Sequence, residues 1–175
     1  IFGRGDYINT NLVISSHIIK TILLKKQYSL KIKGISMEPL IHDEEEVKIE
    51  KPNKLRCGDI IVFNHKKRGL VVHRIISISN AVIIAKGDNA IKSEIINFDD
   101  VIGRVVSIKT VHKKEILIKI KMIHLFCALL SKNTKGFLLK RIPYVHTICY
   151  LKRCLLKLLM RMYRFFYLHA GFTQN

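Results

Sequence analysis

Between residues 28 and 110 the chain is a succession of short Ile- and Val-rich runs, and this punctuated texture limits the fold more than any other feature. The runs are 28–35, 46–49, 59–63, 70–79, 81–85 and 101–110, with turn-forming residues at Gly34, Pro39, Asn53, Gly58, Gly69, Asn80 and Gly87. β-Branched side chains pack well on a pleated surface, whereas Gly, Asn and Pro stop or reverse a strand. Six strands spaced this closely predict a small coiled sheet or barrel rather than a βαβ fold. With its flanking segments the chain is mainly β, and α+β overall.

Those flanks read as helical. Leu12, Ile18, Ile19, Ile22 and Leu23 recur at three- and four-residue spacing behind the cap residues Asn9, Thr10 and Asn11, which predicts a short amphipathic helix over 12–25. The chain is helical in period again from Ile116 onward. In 148–168, Leu151, Leu155, Leu158, Met162 and Phe165 form one stripe, and Arg153, Lys157, Arg161 and Arg164 form a cationic one. Three segments result: an N-terminal helical piece (1–27), a β core (28–112) and a basic amphipathic tail (113–175). Hydrophobic residues make up 49% of the 175, with three Pro and nine Gly, so a packed core is expected and a disordered or fibrous chain is excluded.

Charge divides the chain more sharply than any linker. Up to His112 there are 18 basic and 12 acidic residues, net +6; from Lys113 onward there are 13 basic residues and one acidic, Glu115, net +12. An overall charge of +18 calls for an anionic partner. For the tail, a greasy face beside a cationic one fits the interface of an anionic membrane, with the cytoplasmic face favoured for a peripheral enzyme. The plain alternative is a helix packed on the core with its basic face in water. Nucleic acid is disfavoured, because the tail lacks base-reading polar side chains and a helix-turn-helix pattern. No window shows about 18 consecutive apolar residues free of charge, so nothing reads as a spanning helix. Cys57, Cys127, Cys149 and Cys154 form no CxxC pair and no metal pattern with the eight His, and they read as free thiols; no metal and no cofactor is expected.

Four short segments stand out: 33–41 (KGISMEPLI), 57–63 (CGDIIVF), 71–75 (VVHRI) and 86–89 (KGDN). Singly, each has a plain reading: Ser36 as a turn residue, His73 as a satisfied strand histidine, Gly-Asp-Asn as a hairpin turn. In this order, and followed by Val-Ile-Gly-Arg-Val at 101–105, they resemble the signal peptidase I family of serine endopeptidases over about 28–106. The subgroup resembled is the one including archaeal, endoplasmic-reticulum and small bacterial enzymes, in which His replaces the general-base Lys.

The resemblance implies a peptidase with Ser36 as nucleophile and His73 as base. The chemistry is sound in itself: a hydroxyl needs a neighbour to take its proton, and a neutral imidazole with a pKa near 6.5 can do so. Asp88 matches one acid of the family motif, and Glu94 stands where a second acid belongs. Either Glu94 or Asp88 alone orients His73, or Ser36 and His73 work as a dyad. Gly34 stands where many members carry a hydroxyl donor, so a backbone oxyanion hole is implied in the 34–36 loop, which includes Ile35. Met37 and Pro39 correspond to residues shaping the nucleophile and substrate groove. The segment 41–47 (IHDEEEV) lacks the family's Gly-Asp turn, so an altered turn is expected there. Arg74 reads as a strand-end ion pair as readily as a catalytic group, and Asp99 and Asp100 read as structural. The implied substrate is an extended segment of a precursor peptide or protein with small residues near the scissile bond.

Two rivals remain. A self-cleaving regulator of the LexA type resembles the same core but uses Lys as base and carries an N-terminal DNA-binding domain, whereas here His73 holds the base position and only about 27 residues precede the first strand. A non-catalytic module that keeps the fold and binds membrane or nucleic acid is the other; the substitution at Glu94 and the altered turn favour it.

Overall fold

The computed structural model describes residues 28–80, 82–118 and 145–169; the helix expected over 12–25 lies outside them. Eight antiparallel strands make one curled sheet: β1 (Tyr28–Lys31), β2 (Glu46–Glu50), β3 (Ile60–His65), β4 (Gly69–Ile78), β5 (Ile83–Lys86), β6 (Ser93–Ile96), β7 (Val101–Lys109) and β8 (Glu115–Leu117). Their order is β1-β2-β7-β3-β4-β5-β6, with β8 added to the far half of β7. Among the described residues one α-helix, α1 (Val145–His169), follows. The mainly β expectation holds. Two strands, β6 and β8, lie outside the six predicted runs, and at 115–117 the helical period gives way to a strand because these residues pair with Ser107–Lys109.

β3 and β4 are buried on both faces, from Ile60 to Phe63 and from Val71 to Ile76, which explains why both runs are apolar except for His73 and Arg74. Two clusters occupy the two sides. The larger contains Val47, Ile60, Val62, Val72, Ile102 and Ile108 and is closed by Leu156, Met160 and Tyr163 of α1. The smaller contains Ile61, Phe63, Val71, Ile75, Ile83, Ala85 and Ile96. Because side chains alternate across a strand, His73 belongs to the side of Val71 and Ile75, and Arg74 to the other.

α1 therefore has an apolar face turned to the sheet as well as the expected greasy stripe. Tyr163 donates its hydroxyl to the Leu117 carbonyl at 2.7 Å, fastening the helix to β8. Arg164, grouped with the cationic stripe by its spacing, turns inward instead: its guanidinium donates to the Leu40 carbonyl at 2.8 Å and pairs with the buried Glu45.

Candidate active site

Ser36 sits in the loop between β1 and β2, which is bent by its own hydrogen bonds. The Glu38 amide donates to the Ile35 carbonyl at 3.2 Å, and the Leu40 and Ile41 amides both donate to Met37 at 3.1 Å. Gly34 has φ +109°, a conformation that an L side chain resists, and its amide donates to Asp43 Oδ1 at 2.7 Å. The expected altered turn is here: Glu44 takes a left-handed φ of 65°, donates its amide to the Ile32 carbonyl at 3.0 Å and pairs with Lys31. Met37 is buried in the larger cluster and Pro39 is buried beside it, while Ile35 is 55% exposed. Met37 and Pro39 thus support the loop from below, and Ile35 faces outward.

The loop is clamped to the end of β5. The Asn89 amide donates to the Ser36 carbonyl at 2.7 Å, and its side-chain nitrogen donates to the Ile35 carbonyl at 3.2 Å. Gly87 lies so close that a Cβ there would stand 2.7 Å from the Ser36 carbonyl oxygen and 3.0 Å from its Cβ. Only glycine lets the loop settle at that point.

Strand register then brings three functional groups to one face. Arg74 pairs with Lys86, so one step further sets His73 opposite Gly87, against which Ser36 is packed. Directly paired residues share a face. Ile75 pairs with Ala85 and Ala85 with Glu94, which puts Glu94 on the His73 side. Accordingly, Glu94 Oε2 lies 3.6 Å from His73 Nδ1. Asp88 is on the opposite side, where it accepts from Arg74 Nε at 2.8 Å and from Arg74 Nη2 at 2.7 Å, while Arg74 Nη1 donates to the Gly58 carbonyl at 3.0 Å. Both partners of this pair are fully buried. Of the two acids left open by the sequence, Glu94 accompanies the imidazole and Asp88 accompanies Arg74.

His73 is 3% exposed, and its ring lies 5.8 Å from that of Phe63. Burial, followed by the positive charge of Arg68 and the influence of His65, lowers its pKa to about 3. The imidazole is therefore neutral at physiological pH and holds a lone pair for a proton. Neither ring nitrogen has a hydrogen-bond partner among the described residues, and the Ser36 hydroxyl oxygen is itself sealed from solvent. Arg68, a residue the sequence did not single out among 31 Lys and Arg, pairs with Glu94 and holds its carboxylate beside the ring. Asn89, part of the KGDN segment, has no role of its own in the sequence reading, yet it clamps the Ser36 loop. Among the described residues no group of three or more His, Cys, Asp or Glu gathers to hold a metal.

A serine, a neutral histidine and a carboxylate on one face of a curled antiparallel sheet are the parts that a serine peptidase fold requires. The family comparison agrees: residues 5–106, more than half of the chain, match the Peptidase S24-like model. The chain belongs to the S24-like peptidases. Comparison with curated proteins and with solved structures gives no match. The family match corrects the resemblance to signal peptidase I. The short blocks that carried it mark the Ser36 turn, strand ends and hairpin of a β core, and these positions report the core more than the family.

Proposed function

We propose that the chain is a serine peptidase that cleaves a peptide bond in a segment tethered to itself, in the manner of the LexA-type reading. Ser36 Oγ attacks the scissile carbonyl and gives its proton to His73. The same proton passes to the departing amine, and water then releases the acyl group from Ser36 by the reverse route. Glu94 beside Nδ1 keeps the Nδ1–H tautomer, leaving the Nε2 lone pair for the serine. The 3.6 Å gap closes by less than 1 Å when the site is engaged. Because the Gly34 amide is held by Asp43, the oxyanion hole is built from amides nearer to Ser36.

The observation that carries this reading is the shared face of Ser36, His73 and Glu94. Self-processing is supported by family membership and by the burial of the reacting groups. A buried pair is poorly reached by a freely diffusing polypeptide, whereas a tethered segment has a high effective concentration. The His73 base differs from the Lys of the LexA type, and its neutral state at pH 7 serves the same purpose.

The test is intact-mass spectrometry of the purified chain over time, for the wild type and Ser36→Ala. Fragments whose masses sum to the intact chain plus one water should form in the wild type alone, at a first-order rate independent of protein concentration. Equal fragmentation of both forms overturns the proposal. A rate that rises in proportion to concentration overturns self-processing and leaves a peptidase acting between molecules.

A further inference from the structure

α1 uses only one side to close the core. Leu156, Met160 and Tyr163 are buried against the sheet, yet Leu151, Leu155, Leu158, Met162, Phe165 and Phe166 are each 42–59% exposed. At about 100° per residue these six fall within an arc of about 100°, on the far side of the helix from the buried three. A soluble helix ordinarily has one apolar face, and an aligned second one marks a surface that meets something. Beside this arc stand the cations Lys157, half-buried, and Arg161, exposed.

We propose that the outer face of α1 lies on an anionic bilayer surface, with its apolar side chains in the headgroup boundary and Lys157 and Arg161 on lipid phosphates. The chemistry of the helix is that of an interfacial one: Leu, Met and Phe on one arc with cations at its edge. Charge selects this occupant over a second copy of the chain. Two copies joined through the face would each bring a net charge of +18, twelve units of it from the segment that contains α1, whereas an anionic bilayer neutralises it. Nucleic acid would satisfy the cations but leave the six apolar side chains in water. Among the described residues no helix is long and apolar enough to cross a membrane, and this proposal has α1 lying along the surface with its inner face still on the sheet.

The test is co-sedimentation of the full chain with phosphatidylcholine vesicles and with vesicles also containing phosphatidylglycerol. The wild type should bind the anionic vesicles far more strongly, and the preference should shrink as salt is raised. Lys157→Gln with Arg161→Gln should weaken this binding by about fivefold per cation removed. The triple variant Leu158→Ser, Met162→Ser, Phe166→Ser should abolish it while the thermal melt stays in place, because all three side chains are exposed. Equal binding to neutral and anionic vesicles, or none to either, overturns the proposal. So does a lipid-free dimer that the triple variant dissolves, or binding to duplex DNA that the triple variant retains.

Discussion

His73 is buried and neutral, and for the base of the proposed peptidase this state has consequences in both rate and stability. With a pKa lowered to about 3, the imidazole does not lose its lone pair as the solution passes through pH 6.5. The cleavage rate should therefore stay flat between about pH 5 and pH 8, where an ordinary histidine base would show a limb near 6.5. For stability the unfolded ring takes up a proton near pH 6.5 and the folded ring does not. The contribution is fully present above pH 6.5 and is lost as pH falls toward 3, at up to about 1.4 kcal/mol per pH unit. Urea midpoints of the wild type and His73→Asn between pH 4 and 7.5 check this, and the variant should show the shallower acid slope.

The two acids separate in the same way, one by rate and the other by stability. Glu94→Gln keeps the shape beside Nδ1 but removes the charge, so cleavage should slow by roughly a hundredfold with little change in the melting temperature. Asp88→Asn leaves the buried Arg74 guanidinium without its counter-charge and should cost about 3 to 5 kcal/mol in a denaturant titration. Which acid does which was not readable from spacing. Both lie near the KGDN segment, and the choice depends on how β5 pairs with β6, a contact between strands that no local motif encodes.

At the scale of the elements, the sheet was legible where side chains are buried on both faces. β3 and β4 announce themselves because Ile60–Phe63 and, around His73 and Arg74, the pairs Val71–Val72 and Ile75–Ile76 are apolar on both faces and call for a core. β6 and β8 leave no such mark in the sequence, for the opposite reason. Each buries a single residue, Ile96 or Ile116, and their strand state comes from pairing with a neighbour. The inward turn of Arg164 is likewise a tertiary fact: on a helical wheel it sits with the other cations, but Glu45 and the Leu40 carbonyl draw it to the sheet. Gly87 packs closely against the Ser36 loop. Gly87→Ala would place a methyl 2.7 Å from the Ser36 carbonyl and force the loop away. Cleavage should fall by at least a hundredfold, since about 1 Å of displacement has that effect, while the sheet itself remains folded by circular dichroism.

On the scale of the whole molecule, the described residues form a curled sheet closed on one side by α1, a helix distant from it in sequence. Met160 is fully buried at that seam, with its sulfur 3.9 Å from Arg74 Nη2. Met160→Ala should cost about 2 to 5 kcal/mol by calorimetry or urea titration, as for other buried truncations. Family membership and the shared face of Ser36, His73 and Glu94 point to one reactive alcohol. Incubation with a fluorophosphonate probe, followed by peptide mapping of the labelled site, tests that directly. The label should fall on Ser36, at a rate that drops at least a hundredfold in His73→Asn. Labelling elsewhere with Ser36 left untouched, or an unchanged rate in that variant, would contradict the account.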